Sequence, residues 1–142
     1  ADLTRLFPGL RAVAMSSNVV LGLLQSGPGH VEPYSWVYDE NSFKVGARTI
    51  GLAVSHSGTT YPTVWAARFL RRRTEHVFGL ASSFDCLLAV SIGQAPEQPF
   101  TRRLFSSLAG IRPAEAATVA TIAMHHTLSH LLLRCAALAT GA

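Results

Sequence analysis

Lysine is almost missing from this chain: Lys44 is the only one among 12 basic residues. Asp and Glu together number 8, so charged residues make up just 14% of the 142, against 49% hydrophobic. That balance excludes a solvating, disordered polypeptide and points to one domain with a large buried fraction or with surfaces covered by other chains. The net charge of +4 comes largely from Arg71–Arg72–Arg73 and Arg102–Arg103. Two short clusters are too few and too local for a nucleic-acid surface, and solvated helix ends account for them.

Other absences narrow the chemistry. There are two cysteines, Cys86 and Cys135, each in an apolar segment and with no C-x-x-C. Two buried free thiols are expected rather than a disulfide, which favours a reducing compartment such as cytoplasm or an organelle interior. Ala1 to Gly9 holds no long apolar core of the kind a secretory signal needs. The spacings G-x-G-x-x-G and G-x-x-x-x-G-K-[ST] are missing, so no nucleotide cofactor is implied, and no other cofactor is expected. Nothing resembles a nucleophile elbow, so Ser-His-Asp catalysis has no support.

What is present has an order. Leu10, Val13, Ala14, Val20, Leu21 and Leu24 recur at helical spacing within Leu3 to Gln25, and Gly27–Pro28–Gly29 closes that helix. His30 to Gly46 is aromatic and mixed, and reads equally as a short strand at Ser35–Tyr38 or as a loop packing its aromatics on a neighbour. Arg48 to Ser55 is a near-continuous apolar run, which reads as a central parallel strand buried on both faces. Thr63 to Arg73 reads as a helix whose Val64, Ala67 and Leu70 face a sheet. Glu75 to Ala81 is a second apolar run and Leu87 to Ile92 a third, each read as a strand. Phe100 to Leu108 and Ala114 to Leu138 read as helices. The alternation predicts an α/β fold: a three-layer sandwich with a mostly parallel sheet flanked by helices. One domain is expected, with an N-terminal helix and connector (1–47), a strand–helix–strand–strand core (48–93) and C-terminal helices (94–142).

The chemistry concentrates where the first apolar run meets the next helix, at Ser55–His56–Ser57–Gly58–Thr59–Thr60. A strand-to-helix loop presents backbone N–H groups, and the helix N-terminus adds partial positive charge. Gly58 permits close approach of backbone to an anion. The hydroxyls of Ser55, Ser57, Thr59 and Thr60 are donors that wrap phosphate oxygens without formal charge. In parallel sheets ligands sit at the carboxyl ends of strands, and Ser82–Ser83 occupies a second such end. The two loops are expected to border one pocket.

The stretch Ser55–His56–Ser57–Gly58–Thr59–Thr60 resembles the S-x-S-G-x-T loop of SIS (sugar isomerase) domains. Val77 to Ser83 resembles the family's next strand with its serine end, and Leu87 to Gly93 its short third strand, so the similarity spans 48–93. The resemblance implies phosphosugar binding, with Ser55, Ser57 and Thr60 on the phosphate and Gly58 as the close-approach glycine. His56 stands where many members have Gln, and Pro62 replaces a small or acidic residue. The family's earlier strand, ending in G-x-G-x-S or G-T-S, has no counterpart before Arg48; Ala12 to Ser17 is the nearest segment. The resemblance therefore implies a binding domain that is not catalytic alone. Two alternatives stand beside it: an accessory subunit of a larger assembly that keeps the fold without activity, and an aldose–ketose isomerase completed by dimerisation. Sugar isomerisation needs a general base, and Glu97, after the third apolar run, is the weak candidate.

His126 and His130 form an H-x-x-x-H pair, but no third ligand is evident and no metal is assigned; a sheet-packing or domain-contacting helix carrying tolerated histidines is the simpler reading. Three histidines and Arg134 argue against a membrane span for this last helix, and burial in a larger assembly fits better. Expected partners are a phosphosugar or other small anion and further copies or subunits, without nucleic acid.

Overall fold

The computed structural model describes residues 7, 9–10, 12–25, 45–93, 103–109 and 117–141. The strand considered at Ser35–Tyr38 and the candidate base Glu97 lie outside them. β1 (Gly51–Val54) leads into helix α2 (Tyr61–Arg71), then β2 (Val77–Ala81), α3 (Leu87–Ser91) and β3 (Leu104–Ser106). Helix α1 (Ser17–Gln25) precedes this unit and α4 (Ala117–Thr140) follows it. The three strands form a wholly parallel sheet in the order β1-β2-β3. The chain is thus an α/β protein, a parallel sheet flanked by helices.

Register decides which side chains meet the helices. Gly51 pairs with Val77, Ala53 with Gly79 and Gly79 with Leu104, so these residues share one face. Ala53, Val77, Ala81 and Leu104 of that face pack with Ala67 of α2 and with Leu88, Ala89 and Ile92 around α3. Small residues let the helices sit close. A Cβ on Gly79 would lie 2.7 Å from Leu104 Cδ1 and 3.2 Å from Ile92 Cδ1. Val64 and Ala67 are buried and Leu70 packs against the core, while Arg68, Arg72 and Arg73 reach water, as the helical spacing predicts. Thr74 is buried just before β2; its hydroxyl donates to Thr49 O at 2.7 Å and accepts from His76 N–H at 3.2 Å, tying the starts of β1 and β2 together.

Several expectations are corrected. β1 is an edge strand of the described sheet, not a central one, and Leu52 and Val54 on its second face are 37% and 46% exposed. The run Leu87 to Ile92 is helical rather than a third strand. Leu88, Ala89 and Ile92 are buried while Leu87 and Val90 are exposed, a spacing of three and four rather than two. Strand β3 instead arises at Leu104–Ser106, inside the segment read as a helix. Helix α1 begins only at Ser17: Ser16 caps it, accepting from Val19 N–H at 3.4 Å, so Leu10 and Val13 lie before the helix and are exposed. Both cysteines are free, but Cys135 is exposed rather than buried. Among the described residues of α4 only Ala120 is buried, so this helix does not pack its histidines on the sheet. No helix among the described residues is long and apolar enough to cross a membrane.

Candidate functional site

The loop from β1 to α2 and the loop after β2 meet at the carboxyl ends of two adjacent parallel strands. Ser55 N–H still belongs to the sheet, donating to Leu80 O at 3.0 Å. One residue on, His56 O accepts both Ser82 N–H at 2.9 Å and the Ser82 hydroxyl at 2.6 Å. The two loops are thereby stitched together, and Ser106 Oγ extends the seam by donating to Ser82 O at 3.0 Å.

Hydroxyls within the loop divide into two sets. Ser55 is buried; its Oγ accepts from Gly58 N–H at 3.1 Å and donates to Thr60 Oγ1 at 3.0 Å, so it holds the turn closed. Ser82, also buried, is committed to the seam. Ser57, Thr59 and Thr60 are exposed. Ser57 Oγ accepts from the Thr59 hydroxyl at 2.8 Å and from Thr59 N–H at 3.2 Å. Ser83 is half-buried on the second loop, accepting from Asp85 N–H at 3.2 Å. Residues expected to act alike thus separate into frame (Ser55, Ser82) and rim (Ser57, Thr59, Thr60, Ser83).

Gly58 sets the curvature. Its φ of +66° lies in the left-handed region, and a Cβ there would fall 2.4 Å from Cys86 Sγ and 2.6 Å from Cys86 Cβ. Its carbonyl accepts Leu88 N–H at 2.8 Å, which anchors the loop to the first turn of α3. Cys86, read from sequence only as a buried thiol, is therefore the floor of the loop. A glycine between Ser57 and Thr59 was legible; its contact with a cysteine 28 positions away was not.

Helix α2 opens beside this rim. Thr60 is its N-cap but makes no side-chain cap bond, and Pro62 occupies the first turn, where a missing N–H costs nothing. Among the described residues the N–H groups of Tyr61 and Thr63 find no acceptor. Such orphan donors, with the helix dipole behind them, favour an anion. His56 adds a second unmet group: its Nδ1 is buried and without a hydrogen-bond partner among the described residues.

A separate cavity of about 290 Å³ lies at the opposite pole, bordered by Arg71, Arg72, Arg73, Glu75 and His76. Its guanidinium groups are engaged locally. Arg71 donates to Glu75 O at 3.1 Å, Arg103 also donates to that carbonyl, and Arg72 stacks 5.2 Å over the Phe69 ring. No group of three or more metal-ligating side chains occurs among the described residues of the chain.

The fold and loop thus define an α/β domain with a hydroxyl-rich turn at the carboxyl edge of a parallel sheet. No family model, curated protein or solved structure matches the chain.

Proposed function

We propose that the chain is an SIS-like domain that binds a phosphosugar, or a small anion of the same charge, at the Ser57–Thr60 rim. The observation that carries this reading is the convergence at one strand edge of exposed hydroxyls with the N–H groups of Tyr61 and Thr63, which have no acceptor among the described residues, at the start of α2. The frame beneath is held by Ser55, Gly58 and Ser82, so the rim is ordered without a ligand. A phosphoryl group takes the N–H and hydroxyl donors, and the half-buried Ser83 on the second loop is the next polar group available to the sugar. The reading assigns no catalytic base; the candidate Glu97 lies outside the described residues.

Isothermal titration with fructose 6-phosphate, free fructose and inorganic phosphate tests the proposal. Fructose 6-phosphate and phosphate are expected to bind, fructose is not, and Ser57→Ala with Thr60→Ala is expected to weaken binding at least tenfold. Absence of binding by the unmodified chain, or equal binding by the double variant, would sink it. An accessory-subunit role is the second reading, favoured by the place of β1 at the edge of the described sheet and by its exposed Leu52 and Val54.

A further inference from the structure

Helix α4 carries an exposed stripe that nothing above uses. At 3.6 residues per turn, Val119, Ile122, His126, His130 and Leu133 fall within about 80° of one another around the axis. All five are exposed. The stripe is apolar at its two ends and has two imidazoles at its centre. His126 and His130 are one helical turn apart on one face, the spacing at which two imidazoles reach a single metal ion. A third protein ligand from the same chain is missing among the described residues.

We infer that α4 holds half of a zinc-type metal site, completed by the same two histidines of a second copy of this chain. The argument is one of ligand count and symmetry. Zinc in a closed site takes four nitrogen or sulfur ligands in a tetrahedron, and one α4 offers two. A two-fold axis doubles whatever lies on it. Set level with Leu128, near the middle of the Ala117–Thr140 helix, such an axis runs two α4 helices antiparallel. His126 then faces the second copy's His130 and vice versa, giving four imidazoles in one cluster. The same operation sets Ile122 near the second copy's Leu133 and Arg134. Apolar contact thus lies on either side of the metal, and the arginine stem lies along the rim with its head in water. His125 points away from the stripe and takes no part.

The size of the patch says why a metal is required. Stable interfaces bury about 1,200–2,000 Å² in total. Three apolar side chains per copy along a single helix supply only a fraction of that, so the helix pair alone is too small to persist. A four-nitrogen site at its centre makes up the difference, and it fixes the antiparallel register.

The test is sedimentation of the full chain with and without zinc chloride, followed by chelation with EDTA. Zinc is expected to double the mass from 15.2 kDa, at one ion per two chains, and EDTA is expected to reverse it. His126→Ala and His130→Ala should each abolish the zinc-dependent step, whereas His125→Ala should leave it intact. A mass unmoved by zinc overturns the inference, as does a doubling that survives loss of both His126 and His130. None of these outcomes depends on the anion-binding reading, because the phosphate rim lies on the β1–α2 loop and not on α4.

Discussion

Replacing Gly58 by alanine concentrates two penalties at one atom. Its φ of +66° costs a residue bearing a Cβ, and that Cβ would sit 2.4 Å from Cys86 Sγ, 2.6 Å from Cys86 Cβ and 3.3 Å from Ala81 Cβ. The left-handed conformation costs about 1–2 kcal/mol, and forcing atoms into a filled space adds about 1–3 kcal/mol. The sum, about 2–5 kcal/mol, is a large part of the roughly 5–15 kcal/mol that holds a domain together. Urea unfolding reads it directly: with a slope of about 2 kcal/mol per molar, a loss of ~3 kcal/mol lowers the midpoint by about 1.5 M. The steric part can be isolated with Cys86→Gly, which removes both of the nearest atoms. In that background Gly58→Ala is expected to cost only the backbone term, about 1–2 kcal/mol, leaving a coupling of about 1–3 kcal/mol between the two positions. A Gly58→Ala cost below about 0.5 kcal/mol, or an equal cost in both backgrounds, would refute the account of the loop floor.

Two further substitutions probe the frame. Ser55→Ala leaves the buried Gly58 N–H without its acceptor at 3.1 Å and is expected to destabilise by about 1–3 kcal/mol in the same urea assay. Gly79→Ala places a methyl against Leu104, Leu88 and Ile92, whose side-chain ends can shift, so a cost of about 1–3 kcal/mol is expected, falling in combination with Leu104→Ala.

Much of the central unit was legible from residue order. The strand β1, the helix α2 with its Val64–Ala67–Leu70 face, and the strand β2 follow from runs of apolar residues and from the arginines that close α2. The hydroxyl loop was also visible, because its setting depends only on what immediately precedes and follows it. The third run, Leu87 to Ile92, is ambiguous as sequence because so short an apolar segment suits a buried strand and a helical turn equally. The exposed Leu87 before buried Leu88 and Ala89, and the exposed Val90 between these and buried Ile92, are what separate the two in the fold. Strand β3 could not be read locally at all. Leu104 is a strand residue because it fits beside Gly79, 25 positions earlier, where the missing side chain makes room.

The sequence by itself determined the α/β alternation, the position of the hydroxyl-rich loop and the presence of an H-x-x-x-H pair, since each is a matter of neighbours within one or two turns of chain. Only the tertiary structure decided which hydroxyls are rim and which are frame. Ser55 and Ser82 are consumed by contacts with Gly58, Thr60 and His56, and burial is a property of what lies opposite rather than adjacent. The same is true of α4: the core cluster is built by the sheet with α2 and α3, and among the described residues of α4 only Ala120 is buried.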